Sequence, residues 1–167
     1  NQLAVFLDST GRTYSAPAHS LPSARGQGEP LSSQFAPPPG ATFVGLMIGP
    51  EEDLYVLASG AGYGFVVKLE DLHGRNRAGK AVLNVSGSRP LTPQKVNNLD
   101  TELLAAATDE GRLLIFPLSD LPLLPKGKGV KIMSLKGENL VAVTPLPPNA
   151  HLIVRAGQRY LNLKPSE

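Results

Sequence analysis

The feature that most constrains this chain is a repeat of about fifty residues. Three glycines mark it, Gly11, Gly62 and Gly111, spaced 51 and 49 residues apart. An apolar run precedes each one: Leu3-Ala4-Val5-Phe6-Leu7, Leu54-Tyr55-Val56-Leu57-Ala58 and Leu103-Leu104-Ala105-Ala106-Ala107. A leucine lies ten residues beyond each: Leu21, Leu72 and Leu121. His151-Leu152-Ile153-Val154 and Gly157 open a fourth copy that the chain does not finish. Self-similarity at this period is the signature of a repeat architecture, in which each unit buries its apolar face only against a neighbour.

The grammar within a copy is that of short strands. Asp8-Ser9-Thr10-Gly11, Ser59-Gly60-Ala61-Gly62 and Thr108-Asp109-Glu110-Gly111 are residue types that favour positive φ or local side-chain capping, so they read as hairpin turns. A second strand runs back from each, as in Gly64–Leu69 and Arg112–Phe116. Then come a leucine-containing corner, a loop of glycine and basic residues, a third short strand, and a fourth near Ala41–Leu46 or Asn139–Val143. Apolar residues are never sustained at 3.6-residue spacing beyond a turn or two, so only single helical turns are expected, at Glu70–Leu72 and Ser119–Leu121. The 16 prolines and 17 glycines agree, because both oppose long helices. Four strands in fifty residues is the size of one propeller blade. The expectation is an all-β, propeller-like domain over 1–167, with repeats at about 3–52, 53–102 and 103–150 and a part of another at 151–167. Three four-stranded blades are predicted, with Leu152–Leu163 completing or capping a neighbouring sheet.

Composition narrows the function. With no cysteine there is neither a disulfide framework nor a thiolate metal site, which fits a cytoplasmic protein. No apolar run approaches the roughly 20 residues of a membrane helix, so no membrane partner is expected. The first residues carry no signal-peptide pattern, and the absence of an initiator Met predicts a piece of a longer chain. Gly74-Arg75-Asn76-Arg77-Ala78-Gly79-Lys80 fills seven places of a phosphate-binding loop, but Ala81 stands where a Ser or Thr must ligate Mg²⁺. The three histidines are scattered, no Ser sits in a nucleophile elbow, and no carboxylates pair as acid and base. No catalytic, cofactor or metal site is therefore assigned to this chain.

The basic loops carry the functional signal. Net charge is only +2, so placement matters more than total. Arg25 lies 14 residues past its repeat glycine; Arg75, Arg77 and Lys80 lie 13, 15 and 18 past theirs; Lys126, Lys128 and Lys131 lie 15, 17 and 20 past theirs. If the repeats are blades, these residues share one rim. Spaced cations with glycines between them suit successive phosphates, and the scarcity of aromatics favours duplex over single-stranded DNA. Charge placement alone leaves two readings open: a duplex-DNA-binding rim, and a protein-interaction propeller with solvated loops.

Several longer runs resemble a known family. Val5–Arg12, Leu21–Leu31, Ala61–Val66, Arg75–Ala81 and Phe116–Gly129 are similar to the C-terminal domain of bacterial type IIA topoisomerase A subunits, closely to the topoisomerase IV branch and more distantly to gyrase A. The resemblance implies a β-pinwheel, in which blades exchange strands, and a rim that binds or bends duplex DNA and presents a transport segment to a cleavage core. It implies an ATP-dependent parent enzyme that uses Mg²⁺, with ATP on a partner B subunit and cleavage by an A-subunit dimer. The catalytic tyrosine of that enzyme belongs to another part of it, and Tyr14, Tyr55, Tyr63 and Tyr160 read as strand or turn residues. The basic Gln-Arg-Arg-Gly-Gly-Lys-Gly box of gyrase has no counterpart here, so relaxation and decatenation on the bacterial chromosome are expected rather than tight wrapping.

Overall fold

The structure is a computed structural model of residues 1–167, and it describes residues 2–17, 35–74, 77–148, 152–156 and 159–163. Each repeat begins with a hairpin. In the first, β1 (Leu3–Asp8) pairs with β2 (Arg12–Pro17); in the second, β4 (Leu54–Ala58) pairs with β5 (Tyr63–Lys68); in the third, β8 (Leu103–Thr108) pairs with β9 (Leu113–Pro117). The turns close as their residues predict. Gly11, Gly62 and Gly111 take φ of +88°, +92° and +83°, where an L side chain is strained. In the first turn the buried Asp8 carboxylate accepts hydrogen bonds from the Thr10 and Arg12 amides and from Thr10 Oγ1.

Each hairpin is extended inward by the last strand of its own repeat. β3 (Phe43–Gly49) lies beside β1, β7 (Gln94–Val96) beside β4, and β11 (Leu140–Leu146) beside β8. β7 touches β11 of the next blade, so these closing strands lie where successive blades converge. The opposite edge is completed by a loan. β6 (Lys80–Ala81), from the second repeat, pairs with β2 of the first blade, and β10 (Val130–Lys131), from the third repeat, pairs with β5 of the second. The sheets therefore run β3-β1-β2-β6, β10-β5-β4-β7 and β11-β8-β9. This exchange of strands is the pinwheel arrangement.

Two expectations are corrected. The third sheet has three strands among the described residues, with no lent strand beside β9. β12 (Leu152–Ala156) and β13 (Arg159–Leu163) pair with each other as a two-stranded sheet and, among the described residues, complete no neighbour. Among the described residues, helix is confined to two 3-10 turns, Leu69–Leu72 and Leu118–Asp120, at the expected corners. Each corner buries its leucines, Leu69 and Leu72 in one and Leu118 in the other.

The core lies between blades. Val5, Leu7 and Met47 of the first blade meet Leu57, Phe65 and Val67 of the second. Val56, Val66 and Val96 of the second meet Leu104, Ala106 and Val143 of the third. Both faces of β5 are thus covered, and Gly64 through Val67 are buried. β9 is different: none of its residues is buried, and Leu113 and Leu114 stand exposed.

Candidate nucleic-acid interface

The lent strands bring the basic loops to one edge. Beyond β6, the backbone of 82–84 runs beside 127: Gly127 N–H donates to Val82 O at 2.8 Å and Asn84 N–H donates to Gly127 O at 2.9 Å. Loops of the second and third repeats are therefore stitched together at the outer edge of blades one and two. A shallow groove of about 470 Å³ results, lined by Ala81, Val82, Leu83, Asn84, Lys126 and Gly127.

One predicted cation lines this groove, and two more lie at Tyr63 on the strand edge that follows it. Lys126 is exposed on its lining. Lys128 sits between Gly127 at φ +130° and Gly129 at φ +84°, and its ammonium lies 4.0 Å over the centre of the Tyr63 ring. Such a cation–π contact restrains a flexible side chain while leaving N–H donors for another partner. Lys131, exposed on β10, stands directly across from Tyr63. Glycine is required at 129, because a Cβ there would collide with the Gly64 carbonyl; the chain must press this close for β10 to pair with β5.

The second-repeat cations divide. Lys80 is half-buried on β6, and its Nζ donates to the Asp71 carbonyl oxygen at 2.7 Å. That bond ties the lent strand to the 3-10 corner and engages the ammonium inside the fold. Arg77 is exposed in a turn, and its carbonyl oxygen accepts from Ala36 N–H at 2.7 Å. Arg75 and Arg25 lie outside the described residues.

Strand pairing also revises the equivalence of positions. Counting from the turn glycine sets Lys80 close to Lys128. The sheet sets Lys80 opposite Thr13 and Val130 opposite Gly64, so Lys80 corresponds to Val130. Ala81, opposite Arg12, then corresponds to Lys131, opposite Tyr63. Arg12 and Tyr63 thus share the edge that the loop count assigned to loop residues alone. The signal for them was the residue after the turn glycine, which is Arg12, Tyr63 and Arg112 in the three repeats.

The remaining motifs are structural. The Gly74 amide donates to Ser15 Oγ at 2.8 Å, and Lys80 opens a strand rather than a helix, so the loop between them has no phosphate-facing helix N-terminus. A larger cleft of about 690 Å³ opens where the blades converge, lined in part by Arg89, Asp109 and Asn139. Asp109 accepts hydrogen bonds from the Asn139 amide and side chain, which lower its pKa. Among the described residues no three His, Cys, Asp or Glu side chains converge as metal ligands, and no helix is long and apolar enough to cross a membrane.

Comparison with known proteins agrees with this architecture. The family described as "DNA gyrase C-terminal domain, beta-propeller" matches residues 53–87 and 102–147. The DNA topoisomerase 4 A subunit of Pseudomonas aeruginosa is 54% identical over 98% of the chain, and that of Escherichia coli K12 is 44% identical over 100%. The chain spans 23% of the length of each. The solved structure of the E. coli ParC C-terminal domain superposes with a TM-score of 0.91 at 41% identity, over 99% of this chain and 70% of that one. A gyrase A C-terminal domain shares the fold, with a TM-score of 0.72 at 20% identity over 99% of this chain and 55% of that one. The strand-exchanged blades and these likenesses together place the chain in the family of β-pinwheel C-terminal domains found in the A subunits of topoisomerase IV and gyrase.

Proposed function

We propose that this chain is a duplex-DNA-binding domain that holds or bends a DNA segment for the ATP-dependent relaxation and decatenation of DNA by a topoisomerase IV. The observation that carries the reading is the placement of Lys126 on the lining of this groove with Lys128 and Lys131 both at Tyr63 on the adjoining lent-strand edge. Three ammoniums on a surface with closely approaching backbone suit contacts with successive phosphates, without base-edge readout. Arg77, Arg75 and Arg25 are the further phosphate contacts of this reading. Lys80 acts differently, by anchoring β6 through Asp71. The proposed partners are duplex DNA, the A-subunit dimer and the B subunit. Mg²⁺ and ATP serve parts of that enzyme other than this chain, at work on the chromosome in the bacterial cytoplasm.

The test is duplex affinity of the purified chain across a salt series. Changing Lys126, Lys128 and Lys131 together to Ala should reduce the magnitude of the log K against log salt slope by roughly 2–3. The melting temperature should fall little, since Lys126 and Lys131 are exposed and the Lys128 contact with Tyr63 is worth about 0.5–1 kcal/mol near a surface. A wild-type chain that ignores duplex DNA, or a triple variant that binds like wild type, would overturn the reading.

A further inference from the structure

We propose that Arg12, on a strand rather than in a basic loop, is a DNA-phosphate contact of the first blade and takes there the place that Lys131 takes in the second. This deepens the DNA-binding reading above and rests on it. The first argument is position. Arg12 on β2 pairs across to Ala81 on the lent strand β6, and Tyr63 on β5 pairs across to Lys131 on the lent strand β10. Each outer cross-strand pair holds one cation, but the cation changes strand: the hairpin supplies it in blade one, the lent strand in blade two. Cross-strand partners have Cβ atoms only about 5 Å apart, so exchanging them barely displaces the charge on the surface.

The second argument is the state of the guanidinium. Arg12 is half-buried, and its Nε is enclosed with no hydrogen-bond partner among the described residues. It makes no ion pair among them either. A half-buried guanidinium with no acidic partner carries a charge that nothing nearby neutralises, and a phosphate at its terminal nitrogens would answer it. The other candidates are engaged. Lys80 donates to Asp71, and Arg112, which occupies the equivalent place in the third repeat, is paired with the buried Glu138 and also donates to Ser134 O. One sequence position thus carries two different arginines: Arg12 has no acidic partner among the described residues, and Arg112 has one in the buried Glu138.

The experiment compares Arg12→Gln, Arg12→Lys and Arg112→Gln in the full 167-residue chain, by duplex DNA affinity across a salt series, with a thermal melt of each variant. Arg12→Gln should lower the magnitude of the slope by about 0.9, as expected for one lost phosphate contact. Arg12→Lys should restore the wild-type slope, which a purely structural role for arginine would not predict. Arg112→Gln should leave the slope unchanged. An unchanged slope in Arg12→Gln, beside a reduced slope in the triple lysine variant, overturns the inference and leaves DNA binding standing. Equal losses in the Arg12→Gln and Arg112→Gln variants overturn it too, because neutralisation by Glu138 would then be irrelevant. If the triple lysine variant also keeps the wild-type slope, the DNA-binding reading itself falls.

Discussion

At the scale of single residues, the first turn shows how a buried carboxylate can be fully engaged by hydrogen bonds. Asp8 Oδ1 serves the turn amides, and Oδ2 accepts from Tyr14 Oη at 2.7 Å. The Tyr14 ring is fully buried and meets Phe35 at 5.4 Å and Phe43 at 5.5 Å between ring centres. Burial, and then the hydrogen bond and charge of Asp8, raise the Tyr14 pKa far above its usual value, against a smaller opposing effect of Arg12. The sign follows directly. The folded state favours the protonated phenol, so this contribution to stability is complete below the ordinary tyrosine value of about 10 and is lost as pH rises through the raised value. Tyr14→Phe should cost about 1.5–3 kcal/mol at neutral pH, the usual worth of a hydrogen bond to a charged group. Denaturant melts of both proteins from pH 7 to pH 11 would check the second half of the expectation. The wild type should lose stability more steeply above pH 10 than the variant, and parallel curves would show that Tyr14 does not titrate on unfolding.

At the scale of elements, equivalent strands have unequal surroundings. Val66 on β5 and Ile115 on β9 hold the same place, each four residues past its turn glycine. Val66 N–H donates to Pro122 O at 2.9 Å, and Val66 O accepts from Leu124 N–H at 2.9 Å, so the third repeat's corner covers this edge. Ile115 pairs with Ala105 on one side, but no described residue bonds it on the other. An amide open to water exchanges through small local fluctuations, while a covered one waits for a larger opening. Hydrogen exchange should therefore be markedly faster at Ile115 than at Val66. Equal protection would mean that another segment covers β9 in solution.

At the scale of the whole molecule, the loans couple the blades. Blade two is completed by residues that follow blade three's hairpin in sequence, so its stability depends on a loop of the next repeat. Gly129→Val tests that dependence. A side chain at 129 meets the Gly64 carbonyl and also strains a backbone at φ +84°, which alone costs about 1–2 kcal/mol. The expected result is a lower melting temperature with the loss of exchange protection concentrated in β5, a strand of the second repeat. Loss confined to residues 113–131 would show that the blades are energetically independent. The same coupling organises the rim, since the loan that completes blade two also places Lys126 beside Asn84.

What the sequence determined by itself is local. The apolar runs, the capped turns and the recurring glycine specify hairpins, because strand alternation and turn geometry act over a few residues. Repetition at fifty residues specifies blades, because one hairpin cannot bury its own faces. The loops that hold Lys126, Lys128 and Lys131 were legible for the same reason, as glycine-spaced charge. Only the tertiary structure decided where the two-residue strands β6 and β10 pair. So short a strand has no periodicity to read, and the partner of Lys80, Thr13, lies 67 residues away. That pairing engages Lys80 with Asp71, sets Lys131 against Tyr63, and brings Arg12 to the edge. Charge is written in the sequence, but whether it faces solvent, a carbonyl or a buried carboxylate depends on contacts between residues far apart in the chain.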